Sequence, residues 1–357
     1  MAKKPGRSTG KSTGKSAGKR AGKGGTGSGA KSVDKGGAGK ADTGKADTGK
    51  ADTGKAAAGK AAVPKDSGKS TSPREPGDRW ETPASDVLRW VRGTDLSTLD
   101  QAATPGWAGS RADGERLMAA RGEELADLQE RLFAHGRTGG DRSVLLVLQG
   151  LDTSGKGGIV RHVVGMVDPQ GVMHRGFGVP TEEERQHDYL WRIRNALPRP
   201  GHLGVFDRSH HEQVLVVRVD RLEPVRVWRK HFAELNAFET EVAASGTAIV
   251  KVTLVVSPDE QKKRLAKRLD RPDKHWKYNP SDIDVRLKRP QYLAAYQEML
   301  DRTSTQDAPW HVVPADRKWY ARLAVTELLT DALRSLDLGW PPADFDVAAE
   351  KARLAET

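Results

Sequence analysis

A doubly wound α/β domain with a parallel sheet, preceded by a disordered basic tail, is the fold that this 357-residue sequence predicts. Short apolar runs alternate with amphipathic stretches from about residue 110 onward. A glycine-rich loop ending in Gly155-Lys156 follows the first of those runs, and the first 70 residues hold almost no large apolar side chains.

The tail comes first in the chain. Lys, Gly, Ala, Ser and Thr dominate residues 1–70, with ADTGK units at 41–45, 46–50 and 51–55. Such a segment has too little apolar surface to offset the entropy of ordering it, so residues 1–75 are assigned to a disordered tail. A five-residue period is also too short for a solenoid unit. Residues 1–70 carry 17 Lys/Arg against 5 Asp, which leaves 42 basic and 43 acidic residues for 71–357. The formal charge of +11 therefore belongs to the tail, which is expected to make weak, non-specific contact with polyanions or nucleic acid. There is no cysteine, which excludes disulfides, zinc–thiolate sites and thiol catalysis. No run approaches ~18 apolar residues and the N-terminus lacks a signal-peptide h-region, so no membrane contact and a cytoplasmic location are expected.

The folded part is expected over 80–340, with 341–357 as a C-terminal tail. Leu117, Leu125, Leu128, Leu132 and Phe133 recur at helical spacing and predict a helix across roughly 110–135. The run SVLLVL at 143–148 reads as a parallel strand buried on both faces. Further strands are expected at 203–206, 248–256 and 311–313, and helices near 157–167, 181–196, 226–244, 257–270, 282–301 and 316–336. Alternation of this kind gives the doubly wound sheet.

The chemistry gathers at the strand ends. Gly150-Leu-Asp-Thr-Ser-Gly155-Lys156-Gly157-Gly158 fits G-x-x-x-x-G-K and opens a helix at Ile159. In that setting backbone N–H groups turn inward on phosphate oxygens and Lys156 reaches a terminal phosphate. Gly150, Thr153, Ser154, Gly155, Gly157 and Gly158 are the expected cradle. Gly157 stands where most such loops carry a Mg²⁺-binding Ser or Thr, and Asp152 offers a carboxylate instead, as ligand or base; the alternative for Asp152 is a loop cap. Asp207 ends a short apolar strand at the position of a second Mg²⁺-binding carboxylate, with Arg208 beside it to clamp a phosphate. The adjacent His210 and His211 do not share a helix face, so Ser209 to Glu212 are read as lining or supporting the cleft and not as a metal site. Farther on, Arg264, Lys267, Arg268 and Arg271 fall three and four apart, and with Lys274 and Lys277 they suggest a basic lid spanning about 262–290.

Taken together these motifs resemble the polyphosphate kinase 2 family, over roughly 80–336: GLDTSGKGG, VFDRSH, VLVVRV at 214–219, LDRPDKHWKY, and TSTQDAPWHVVPADRKWYARL at 303–323. The resemblance implies a three-layer α/β/α P-loop kinase-like domain with a helical lid, Mg²⁺ dependence, and transfer between polyphosphate and nucleoside mono- or diphosphates. The wording is most similar to the subgroup that takes AMP and ADP. By position, Asp152 and Asp207 match the family's metal and catalytic carboxylates, Lys156 its loop lysine, Arg208 its phosphate-binding arginine, and Arg264 and Arg268 its lid arginines. Two stretches depart from the pattern: His211, Glu212 and Gln213 where an aromatic, Glu and Asp are expected, and Arg289-Pro290-Gln291 where an acidic stretch precedes the tyrosine. A homo-oligomer is expected, with 214–219 as a segment that packs between subunits. The alternatives are an ATP-dependent nucleotide kinase of the same fold and a tail-driven nucleic-acid binder with a degenerate kinase domain.

Overall fold

The structure is a computed structural model that describes residues 78–357; the tail assigned to 1–75 lies outside the described residues. Helices α1 (Ala84–Val87) and α2 (Arg111–Arg137) precede β1 (Ser143–Gln149). There follow α3 (Lys156–His162), β2 (Val172–Gly176), α4 (Trp191–Arg194), β3 (Leu203–Asp207), α5 (Val216–Val219), α6 (Val225–Ala244) and β4 (Thr247–Val255). The chain closes with α7 (Pro258–Leu269), α8 (Ser281–Leu287), α9 (Arg289–Thr303), β5 (Trp310–Pro314), α10 (Lys318–Arg334) and α11 (Val347–Ala355).

The five strands lie parallel in the order β2-β3-β1-β4-β5. Every residue of β1 is buried, because the sheet is covered on both faces. Val144, Leu146 and Leu148 enter a core shared with Leu117, Leu125 and Leu132 of α2 and Leu323 and Leu328 of α10. The alternate residues Leu145 and Val147 enter a second core with Phe232 and Leu235 of α6 and Met299 of α9. The two-residue period of the strand thus splits one apolar run between two helical layers, giving the three-layer fold. Ser110 and Asp113 form a reciprocal capping box that fixes where α2 begins. On the β5 edge, Trp90 N donates to Trp310 O and Val312 N donates to Leu88 O, so the segment before α2 covers that strand.

The structure departs from expectation in five places. Strand β2 was not foreseen, because it is an edge strand whose last three residues are exposed and carry no apolar run. The helix expected at 181–196 reduces to a 3₁₀ turn, Glu184–Gln186, and the four residues of α4, since the polar stretch 181–188 has no apolar face to bury. The helix expected at 282–301 is two, α8 and α9, with Pro290 in the first turn of the second. The tail expected at 341–357 contains α11, none of whose residues is buried. Finally, Val214, Leu215 and Val217, expected between subunits, are buried in the chain's own second core.

Candidate active site

Parallel registry sets the site. Leu148 pairs with Asp207, so the loop that leaves β1 and the residue that ends β3 are neighbours at the carboxyl edge of the sheet. Arg208 N donates to Leu148 O at 3.0 Å, which draws β3 along the loop's first residues. Thr153 (φ 66°) and Arg208 (φ 67°) both sit in the left-handed region that non-glycine residues seldom adopt. Gly150 (φ 143°) is required twice over: a Cβ there would lie 2.5 Å from Leu254 O. At Gly157 and Gly158, by contrast, a Cβ would meet nothing within 4 Å. Packing within the protein therefore does not demand those two glycines, and the space beside them is open.

The structure brings Asp152, Lys156, Asp207 and Arg208 together. Lys156 is buried and its Nζ donates to Gly150 O at 2.6 Å. Burial pulls its pKa down, while the charges of Asp207, Asp152 and Glu212 pull it back up. Arg208 Nη2 donates to Asp152 Oδ1 at 2.9 Å, and although burial opposes its charge, Glu212 and Asp152 raise its pKa. The Asp207 carboxylate accepts no hydrogen bond and forms no ion pair among the described residues. Two loop hydroxyls, Thr153 Oγ1 and Ser154 Oγ, are buried without a partner. A buried donor left unpaired costs free energy that an incoming phosphate oxygen would recover.

Sequence reasoning missed a third carboxylate as a site charge. The 3₁₀ turn His210–Val214 brings Glu212 back toward Lys156 and Arg208. Burial raises its pKa, with Arg208 and Lys156 opposing. Gln149 steadies it: with the amide turned to suit both neighbours, its nitrogen donates to Glu212 Oε1 at 3.2 Å and its oxygen accepts from Ser209 N at 3.2 Å. Tyr296, also missed, accepts from Gly150 N at 3.1 Å through its hydroxyl. Sequence placed Glu212 at the cleft only as a lining or supporting residue, since its spacing of five from Asp207 matches neither strand nor helix and does not say where its charge points; Tyr296 comes from α9 and left no local signal.

Hard carboxylate oxygens with one member uncommitted fit a divalent cation such as Mg²⁺. Three carboxylates, Asp152, Asp207 and Glu212, face two cations, Lys156 and Arg208, so the cluster would gain from a further positive charge.

The basic residues downstream divide. Arg264, expected as a phosphate-binding lid arginine, is instead buried against the loop's backbone. Its Nη1 donates to Thr153 O (2.9 Å) and Ser154 O (3.1 Å), and its Nη2 to Ala315 O (2.6 Å) and Asp316 O (3.1 Å). Arg264 Nε also donates to Glu260 Oε1 at 2.8 Å. A planar fork suits this set of acceptors, and it holds the phosphate loop from behind. Arg268 is only partly exposed and donates to Lys277 O at 2.9 Å and Asp282 Oδ2 at 3.2 Å. Lys274 pairs with exposed Asp273, and the Lys277 ammonium lies 4.7 Å from the Trp276 ring centroid. The segment reaches the site at Asp282: burial raises its pKa, and Asp152 and Arg208 are among the charges that act on it.

His210, His211 and Glu239 bring ligand atoms within 4.8 Å of one another, the one such cluster among the described residues. Lys251 Nζ already holds Glu239 Oε2 at 2.5 Å and donates to Thr303 O at 2.6 Å, while His210 Nε2 lies 3.1 Å from Glu239 Oε1. The carboxylate is thus neutralised by an ammonium, and burial holds the His211 pKa well below its usual value. This is a hydrogen-bonded polar core beneath the cleft.

The family described as Polyphosphate kinase 2 (PPK2) matches residues 109–338. An AMP/ADP-polyphosphate phosphotransferase of Meiothermus ruber is 40% identical over 257 residues, 72% of this chain and 94% of that one. An ADP-polyphosphate phosphotransferase of Rhodopseudomonas palustris is 39% identical over 65% of this chain and 83% of its own. The crystal structure of polyphosphate kinase 2 from Arthrobacter aurescens TC1 is similar at 51% identity and a TM-score of 0.76, covering 78% of this chain and 98% of that one.

Proposed function

The chain belongs to the polyphosphate kinase 2 family, and on that premise we propose that it is a phosphotransferase working between inorganic polyphosphate and nucleotides, with AMP and ADP as the nucleotide substrates. The observation that carries the reading is the unpaired Asp207 carboxylate, whose charge acts on Lys156, together with a phosphate loop whose Gly157 and Gly158 open onto free space. Phosphoryl transfer asks chiefly for positioning and charge neutralisation, and this cluster supplies both.

The nucleotide's terminal phosphate oxygen attacks the end phosphorus of the chain, the bridging P–O bond breaks, and the polyphosphate leaves one unit shorter. Lys156 and Arg208 place positive charge on the non-bridging oxygens. The Thr153 and Ser154 hydroxyls and the loop N–H groups orient the bound phosphates. Asp207, with Asp152 and Glu212, would hold Mg²⁺, which when bound neutralises charge developing on the phosphate oxygens. Residues 270–288, stapled by Arg268 and carrying Lys274 and Lys277, act as the lid that meets the polyanion and excludes water.

The test compares donors. With AMP as acceptor and Mg²⁺ present, purified protein should form ADP from polyphosphate far faster than from ATP. Preference for ATP would return the chain to ordinary nucleotide-kinase chemistry.

A further inference from the structure

Gln261 is 1% exposed and lies on the first turns of α7, where its side-chain amide joins three parts of the molecule. Its Nε2 donates to Asp152 O, inside the phosphate loop, at 3.2 Å. Its Oε1 accepts from Arg286 Nη1 of α8 at 3.2 Å and from Arg289 Nη1 of α9 at 3.5 Å. Both arginines are fixed from behind, Arg286 Nη1 on Pro258 O at 2.6 Å and Arg289 Nη2 on Val256 O at 2.6 Å. One turn later on the same helix, Arg264 holds the next two loop carbonyls, Thr153 and Ser154. Helix α7 thus holds three consecutive carbonyls of the loop; because the N–H of a trans peptide lies opposite its C=O, those of Thr153 and Gly155 are turned away from α7 toward the phosphate side, while Ser154 N donates to Leu151 O at 3.0 Å.

We propose that Gln261 is a positioning residue that couples the 270–288 segment to the phosphate loop, so that phosphate seated on the loop sets the position of that segment. The inference rests on the proposed phosphotransferase reading. The chemistry of the amide makes the coupling two-sided: the donor half serves only the loop and the acceptor half only the arginines at the segment's far end. A shift of Asp152 O on phosphate binding therefore reaches Arg286 and Arg289 through one rigid planar group. It also gives Arg289 a task at this junction. A carboxylate there would repel the Gln261 oxygen, whereas the guanidinium engages it.

The coupling can be read without turnover, since Trp276 stands exposed on the segment. Inorganic tripolyphosphate is titrated into the full chain at ~200 mM salt, which suppresses tail contacts. The Trp276 contribution to fluorescence is isolated by comparison with Trp276→Phe. In the wild type that contribution should change as the loop fills. In Gln261→Leu and in Arg286→Ala/Arg289→Ala most of the change should vanish, while tripolyphosphate affinity by calorimetry stays within about threefold and kcat falls about tenfold. Combining the changes should add little, because both cut the same link. If Gln261→Leu fails to fold, Gln261→Glu serves: it keeps the acceptor, loses the donor to Asp152 O, and should show the same loss. A Trp276 response that persists in the variants, or kcat losses that multiply on combination, would overturn the proposal. Should the wild type form no ADP from polyphosphate while the Trp276 response behaves as described, the phosphotransferase reading falls and the coupling stands.

Discussion

On the proposed reading each charged side chain in the cluster acts on the transferred phosphoryl group, so single substitutions should separate chemistry from stability. Lys156→Ala removes the one ammonium among three carboxylates, and turnover should drop at least about a hundredfold. The melting temperature should change little, because the loop carbonyls are held by Arg264 and Gln261 and only Gly150 O loses its partner. A variant that unfolds, or one that keeps near-wild-type rates, would count against that role. Glu212→Gln keeps the shape but removes a charge that acts on both Lys156 and Arg208. A loss of about tenfold or more in kcat with raised Mg²⁺ demand is expected, checked by metal titration of the initial rate. An unchanged metal curve would mean that Glu212 only balances charge.

Elements set where those side chains stand, and α7 is the clearest case. Arg264→Ala would leave four backbone carbonyls, of Thr153, Ser154, Ala315 and Asp316, without their donor. Denaturant unfolding should show a loss of roughly 3 kcal/mol, and turnover should fall with it. Arg268→Ala should cost little stability and raise KM for long polyphosphate more than for nucleotide, since its contacts lie within the partly exposed 270–288 segment. Strand β5 offers a pH prediction. Burial lowers the His311 pKa from 6.5 to about 4, so the folded state holds this ring neutral. The stability it contributes is present above pH 6.5 and is lost as pH falls from there toward 4. Urea unfolding across that window should lose roughly 3 kcal/mol, and His311→Asn should flatten the slope. What the sequence disclosed follows the same physics. Strands β1, β3 and β4 were legible because burial on both faces writes an unbroken apolar run, whereas edge strand β2 needs none. The loop, Asp207 and Arg208 were legible because glycines and strand-end charges are local. The burial of Arg264 was not: its partners are mostly backbone carbonyls, which leave no mark in sequence, and helical spacing alone cannot say which face of a basic helix packs inward.

Across the whole molecule, charge is divided unevenly along the chain. The net charge of residues 71–357 is close to zero, with 42 basic and 43 acidic residues, so the excess lies in the N-terminal part. Removing residues 1–75 should leave kcat unchanged while abolishing low-salt binding to DNA and only weakening that to polyphosphate; in the intact chain the DNA binding should fade between ~50 and ~200 mM salt. Loss of turnover on truncation at saturating substrate would require a catalytic part for the N-terminal residues. No helix among the described residues is long and apolar enough to cross a membrane. On the proposed function, the cluster around Asp207 moves a phosphoryl group directly from polyphosphate to a nucleotide. The most direct measurement follows ³¹P signals in a mixture of AMP, polyphosphate and Mg²⁺ with wild type and with Asp207→Asn. Wild type should lose internal polyphosphate signal as the β-phosphate of ADP grows, because each transferred end unit exposes a new end, and Asp207→Asn should do so at least about a hundredfold more slowly at an unchanged melting temperature. Equal rates in the two proteins, or loss of polyphosphate signal to free phosphate with no ADP formed, would contradict it.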